Sequence, residues 1–237
     1  MQTYSLKIKD QAFDFKTQDG VFYPTNTSES LISGSQKHIT APGKLLDLGC
    51  GIGVIGITLA RLGLARRPVF ASDLSQDAID VAYENAASHQ CELVARVGAL
   101  FEPWGGEIFE YIVADVPGIS EDVAVHSRWF PKGVPCASGR DGTRLVGKVI
   151  EEAPRHLEPH GLLIFPVLSL SNTDEIISLA TRRFRRVERV LRRMWPVPEE
   201  LKVRMDLLNE LHREGNVHIE EKFGLLLWYT DVYVARN

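Results

Sequence analysis

The sequence has little cysteine. Cys50, Cys91 and Cys136 make an odd count at wide spacing, with no Cys-x-x-Cys pair, which excludes a disulfide framework and gives no signature of a structural zinc site. It has no apolar run of the roughly 18 to 20 residues that a membrane span requires. Its first residues, MQTYSLKIKDQAFDF, carry neither a basic n-region nor an apolar h-region. No charge of one sign dominates: 31 acidic and 27 basic residues leave a formal net charge of −4, which does not mark a dedicated nucleic-acid binder, although it leaves room for a local basic patch. Internal repeats and low-complexity tracts are also absent. What is there, 237 residues with 44% hydrophobic and 24% charged, predicts a soluble globular protein of a reducing cytoplasm. One large domain, or one with a small appendage, is the expected count.

Strand and helix signals alternate along the chain. Residues 44–49 (KLLDLG) form an apolar run ending in Gly, and residues 52–62 place Ile52, Ile55, Leu59 and Leu62 at helical spacing. The unit recurs with a buried strand over 68–72, closed by Asp73, and a helix over 75–88 capped by Ser75. Further strands are expected over 92–98 and 109–114, separated by the breaker FEPWGG, and then a helix over 142–155 and the run GLLIFPV. Such alternation predicts an α/β fold: a doubly wound, mostly parallel sheet, because parallel pairs need crossovers. Two segments lie outside it. Residues 1–40 are expected to form an N-terminal cover with a short helix beginning near Ser28 and Glu29, ahead of a domain over 41–237. Residues 198–213 put Leu201, Met205, Leu208 and Leu211 on one face of a helix inserted at about 196–216, before a last strand hairpinned with HIEEKF.

The sharpest motif is Asp47-Leu48-Gly49-Cys50-Gly51-Ile52-Gly53, at a strand-to-helix junction. Alternate glycines permit torsions and close approach that a Cβ forbids, so a ligand can lie against the main chain at the positive end of a helix. Gly51 to Gly56 also fits the dinucleotide fingerprint G-x-G-x-x-G. Asp73, at the end of the next strand, suits ribose hydroxyls in either cofactor class. Asp47 is unfavourable beside a pyrophosphate and suits a cationic ligand.

The block LLDLGCGIGVIGITLA with VFASDLSQDAIDVAYENA resembles the class I S-adenosylmethionine-dependent methyltransferases. VFYPTNTSESLI, GALFEP, ADVPG and SGRDGTRLVGKVIEEAPRHLEPHGLLIFPV narrow the resemblance to the small-domain branch, from roughly residue 20 to the end. That branch includes N5-glutamine methyltransferases and relatives acting on exocyclic amines of RNA and DNA. The resemblance implies a Rossmann-like fold, an antiparallel last strand and S-adenosyl-L-methionine as cofactor. It implies that Asp47, Gly49 and Gly51, with Cys50 and Gly53 in the same turn, line the methionine end. Asp73 would bind the ribose, Leu74 and Leu100 would flank the adenine, and Glu29 would lie near the cofactor.

The departures carry as much information. Where the branch has Asn-Pro-Pro-Tyr, which clamps a planar amine, this chain has Asp115-Val116-Pro117-Gly118. An acceptor survives at Asp115 beside Pro117, but the ring is lost; Trp129, Phe130 or Tyr23 would have to supply one. Ala99 stands where relatives often carry an Asp for the adenine amino group. Methyl transfer is an in-line displacement at an activated methyl, so the chain's task is to orient the nucleophile and take its proton. Asp115 is the first candidate for that task, or else a strand-end cap.

Arg140 and Asp141 read first as a helix start, and the arginine run 182–193 as a solvated helix end and edge strand. His156 and His160 are separated by Pro159, which argues against a metal pair. The expected function is methylation of N or O on an unidentified acceptor: protein, nucleic acid or small molecule. Two alternatives stand beside it. One is a non-methylating enzyme that consumes S-adenosylmethionine by intramolecular attack, and the other is a silent partner subunit.

Overall fold

The computed structural model describes residues 3–8, 10–130, 134 and 136–237. Seven strands form the main path of an eight-stranded sheet: β3 (Leu45–Leu48), β4 (Val69–Asp73), β5 (Leu93–Val97), β6 (Phe109–Ala114), β7 (Leu157–Leu168), β8 (Arg186–Pro196) and β10 (Leu225–Arg236). Their order is β5-β4-β3-β6-β7-β10-β8, with the short β9 (Glu220–Lys222) hairpinned onto β10. The pairs from β5 through β7 are parallel, and β10 runs antiparallel to β7 and β8. The order reverses at β3, so the crevice outside the carboxyl ends of β3 and β6 is where an open sheet of this type receives a ligand.

Strand parity divides the core into two layers. Leu45, Val113, Ile164 and Val232 face one cluster with α1 (Asn26–His38), α2 (Val54–Arg61) and α3 (Gln76–Ser88). Their immediate neighbours Leu46, Ile112, Phe165 and Tyr233 face the other, with α5 (Arg144–Glu152) and α6 (Thr173–Arg183). This is the double winding that alternation with crossovers requires. Ser75 caps α3 as expected, its Oγ accepting from Ala78 N at 3.3 Å.

The N-terminal 40 residues hold more than a short helix. β1 (Thr3–Ile8) and β2 (Gln11–Lys16) form an antiparallel hairpin whose alternate residues Tyr4, Leu6, Ile8, Phe13 and Phe15 are buried. Asn85 of α3 holds it in place. Its Oδ1 accepts from Lys16 N at 2.8 Å, while its Nδ2 donates to Lys16 O at 3.1 Å and to Ile52 O at 3.0 Å. One buried amide thus joins the hairpin to the glycine turn with its hydrogen-bonding capacity used, which is the condition for burying it.

The late helix is not continuous over 198–213. It breaks into α7 (Glu199–Lys202) and α8 (Met205–Arg213), with Val203 exposed between them. Leu201, Leu208 and Leu211 are buried, in a third cluster with Val123 of α4 (Glu121–Ala124) and Trp228, and the half-buried Met205 packs against it. The arginine run divides as expected, Arg182 and Arg183 ending α6 and Arg186 to Arg193 lying on edge strand β8. There Arg192 clamps the buried Asp231 through two 2.6 Å bonds and covers the Tyr229 ring at 3.8 Å. Among the described residues, no helix is long and apolar enough to cross a membrane.

Candidate functional site

A cavity of about 480 Å³ opens along the carboxyl ends of the parallel strands, within the range of small-molecule sites. One end is built by the glycine turn and by the loops after β4 and β5: Gly49, Gly51, Asp73, Leu74, Ala99 and Leu100 all line it. Gly49 and Gly51 have φ of +75° and +51°, torsions that suit glycine. A Cβ on Gly51 would meet nothing within 4 Å, so a ligand can approach this backbone; one on Gly49 would meet the Asp115 carbonyl at 2.7 Å. The turn amides are tied to the sheet, Gly49 N and Cys50 N both donating to Ser72 O.

Asp73 supports the turn from the neighbouring strand. Its Oδ2 accepts from Gly51 N at 2.9 Å and its Oδ1 from Ser75 N at 2.9 Å. Each oxygen keeps a lone pair, and the residue lines the cavity. On the far side, the buried Trp104 donates to Ser72 Oγ at 3.0 Å, and that hydroxyl donates to Leu100 O at 3.3 Å. Leu100 is held there at φ +49°, a strained torsion for a side-chain-bearing residue at a cavity wall.

The other end is centred on Asp115, at the close of β6. Asp115, Pro117, Trp129, Phe130, Phe22 and Trp228 line it. The rings are paired, Phe22 with Phe130 at 5.3 Å between centroids and Trp129 with Trp228 at 5.1 Å. Asp115 Oδ2 accepts a 2.7 Å bond from Ser28 Oγ in the first turn of α1. Burial pushes the Asp115 carboxyl up to about 6, against the opposing influence of that bond. Burial thus makes it a stronger base than an exposed carboxylate.

Several expected site residues lie elsewhere. Asp47 does not reach the cavity: strand parity turns it toward α2, where it is fully buried and its Oδ2 accepts from Gly56 N at 2.8 Å. Burial pushes its carboxyl up to about 7, and its Oδ1 has no hydrogen-bond partner. Gly56 is therefore the third glycine of the apparent fingerprint for packing reasons, since a Cβ there would sit 2.8 Å from Val69 Cγ1 and 3.0 Å from Asp47 Oδ2. Cys50 is buried against Ala71 and Ile79, with its thiol pushed well up by desolvation. Gly53, at φ +84°, begins α2. Neither lines the cavity.

Tyr23 is exposed, with its ring edge-on to Tyr4 at 5.6 Å, and Glu29 accepts from Tyr4 Oη at 3.3 Å and lies 3.8 Å from Arg193. Consecutive residues at this helix start point apart, and Ser28, not Glu29, reaches Asp115. Arg140 joins an exposed ion network with Asp122, Glu210 and Glu214. Asp141 accepts from Thr143 N and Oγ1, ordering the start of α5. His156 stacks on Phe101. Among the described residues, no cluster of three or more His, Cys, Asp or Glu could hold a metal ion. Phe22 and Ser28 lie in the block VFYPTNTSESLI, which marks the segment without singling them out, and Trp228 carries no motif; the fold brings all three to the cavity that Asp115 lines.

Comparison with known proteins agrees with this architecture. The chain is 27% identical over 173 residues to a release factor glutamine methyltransferase of Geobacter sulfurreducens, covering 71% of this chain and 60% of that protein. It is 33% identical over 133 residues to a ribosomal protein uL3 glutamine methyltransferase of Bradyrhizobium diazoefficiens, covering 54% of this chain and 41% of that one. The chain thus spans less than two thirds of the length of these relatives. A solved 16S rRNA N2 methyltransferase of T. thermophilus, in complex with AdoMet and guanosine, superposes with a TM-score of 0.65 at 16% identity, over 100% of this chain and 50% of that one. Another, a ribosomal protein L11 methylase of Lactobacillus delbrueckii subsp. bulgaricus, gives 0.56 at 15% identity over 90% of this chain and 80% of that one. These likenesses show a Rossmann-like class I methyltransferase fold. The model of the methyltransferase small domain matches residues 12–130, half of the chain, and the chain belongs to that family.

Proposed function

We propose that this protein transfers the methyl group of S-adenosyl-L-methionine to a nitrogen nucleophile. The observation that carries the reading is the single cavity with two dissimilar ends: a glycine turn beside Asp73 at one, and a carboxylate among paired aromatic rings at the other. The residues present fit that cofactor. Gly51 leaves room for close backbone contact, Asp73 has acceptor capacity for ribose hydroxyls, and Leu74, Ala99 and Leu100 offer apolar flanks for adenine. When bound, the cofactor supplies a methyl made electrophilic by positive sulfur. Asp115 would accept a hydrogen bond from the nucleophile and take its proton, while Pro117 and the rings fix its plane.

The aromatic end favours this reading over intramolecular consumption of the cofactor. The ring missing from Asp115-Val116-Pro117-Gly118 is compensated from other elements, by Phe22, Trp129, Phe130 and Trp228. Those rings line the end of the cavity away from Asp73, where an acceptor would enter. The names of the relatives supply candidate acceptor groups, namely the glutamine amide of a release factor or ribosomal protein.

The test is calorimetric binding of S-adenosylmethionine and S-adenosylhomocysteine, followed by mass spectrometry of the cofactor with and without acceptors. Binding with S-adenosylhomocysteine formed only when an acceptor is added supports the reading. Methylthioadenosine accumulating above the enzyme-free control with no acceptor present would overturn it.

A further inference from the structure

We propose that the chamber beside Asp115 receives a compact amine carried on an aromatic or branched aliphatic frame that bears no phosphate or carboxylate. This rests on the methyltransferase reading of the same site and sets an amine in place of the glutamine amide that the relatives' names suggest. Sheet order separates the chamber from the cofactor end: Asp73 and Leu100 follow β4 and β5, whereas Leu168 ends β7 and Trp228 belongs to β10, on the opposite side of the switch point. Phe22 reaches it from the segment before α1, and Trp129 and Phe130 from the segment after α4.

Three features define what fits. The walls are ring faces and aliphatic groups, including Ile119, Leu168 and Ala137, which gain from covering an apolar frame. The charged side chain among them is Asp115, held by Ser28 Oγ at 2.7 Å at the amino end of α1, an arrangement that favours its ionised form. None of the described residues lining the cavity is Lys, Arg or His, and the Asp115 carboxylate opposes an anionic acceptor in the chamber. Rings together with a carboxylate recognise an amine through cation–π attraction and a charge-assisted hydrogen bond. For methylation the amine gives one proton to the Asp115 carboxylate. Its lone pair then forms the N–C bond as the C–S bond of the sulfonium donor breaks, sulfur keeping the electron pair.

The experiment is isothermal calorimetry on the full chain saturated with S-adenosylhomocysteine, titrated in turn with phenethylamine, tryptamine, phenylacetate, guanosine monophosphate and a glutamine-containing peptide. At least one of the two amines is expected to bind about tenfold or more tightly than either anion and the peptide, a difference in the range that cation–π and charge-assisted contacts supply. Asp115→Asn, nearly isosteric, is expected to abolish the preference for amine over anion, and Trp129→Leu to weaken the amines severalfold.

Equal or tighter binding of an anion, selective binding of the peptide, or a preference that survives Asp115→Asn overturns the proposal. S-Adenosylhomocysteine binding without either amine binding overturns it alone. Failure of S-adenosylhomocysteine to bind overturns the methyltransferase reading beneath it and the proposal with it.

Discussion

The Ser28 hydroxyl donates a 2.7 Å hydrogen bond to Asp115 Oδ2 across 87 residues of sequence, joining the first turn of α1 to the end of β6. Burial raises the Asp115 carboxyl to about 6, and this bond works in the opposite direction. A base must be ionised to act, so with Asp115 as the base activity is expected above that value and is expected to fall below it. Ser28→Ala removes a bond to a charged group worth about 1.5–3 kcal/mol, or about one pH unit or more. The acid limb of kcat/KM against pH is expected to move upward by that amount, with rates converging at high pH. An unmoved limb would separate Ser28 from the chemistry.

Asp115→Asn keeps the shape and the Ser28 contact but removes the base. Turnover should fall by about 10²-fold while S-adenosylhomocysteine binds as before. Unaltered turnover would show that Asp115 caps the strand end and does no more.

Asp73→Ala removes a group that accepts from Gly51 N and Ser75 N and that faces the cavity. Cofactor affinity should drop by about tenfold or more, since a lost charge-assisted hydrogen bond is worth about 1.5–3 kcal/mol. Calorimetry with S-adenosylhomocysteine checks it, and unchanged affinity would exclude Asp73 from the ribose site.

Asp47 makes a stability prediction. Burial raises its carboxyl from 3.8 to about 7 in the folded chain, so between those values the folded protein keeps a proton that the unfolded chain has released. Stability therefore falls as pH rises through that window, by about 1.4 kcal/mol per unit at most, and levels off above it. Asp47→Asn can still accept from Gly56 N and carries no charge. Its Tm is expected to exceed the parent's at pH 8 and to match it more closely at pH 4. Equal Tm differences at both pH values would contradict this.

Gly49→Ala tests the contact between the turn and β6. Alanine at φ +75° is strained, and its Cβ would lie 2.7 Å from the Asp115 carbonyl. A loss of about 1–3 kcal/mol is expected, together with weaker cofactor binding and slower turnover, because Asp115 must shift. Urea unfolding and the two assays report these effects separately.

The parts of the site that follow directly from a strand ending in a turn were legible in the sequence. Gly49, Gly51, Asp73 and Asp115 follow from strand ends and turns, whereas Leu74, Ala99, Leu100 and Pro117 are read from the resemblance to the small-domain methyltransferases; all of them line the cavity. Asp47 shows the limit of motif position without parity: one residue before Leu48 it faces the opposite layer, so its carboxylate meets α2 and not the cavity. The β1–β2 hairpin had a readable signal in the alternation of Tyr4, Leu6 and Ile8, then Phe13 and Phe15, a period of two. For Ser28 over Glu29, and Phe22 over Tyr23, the block VFYPTNTSESLI marked the segment but not the residue, and Trp228 had no signal, because which side chain turns to the cavity is decided by contacts distant in sequence.

The cavity wall draws on both Phe22 and Trp228, and this sets an order during synthesis. The cofactor end is encoded within residues 49–100 and has its strands as soon as β3 to β6 have emerged. The acceptor chamber lacks a wall until β10 leaves the ribosome and inserts between β7 and β8. A nascent chain stalled before residue 225 would therefore carry the glycine turn and Asp73 without the ring pair that closes over the acceptor. The end of the cavity beside Trp228 is completed last, as a product of finishing the sheet.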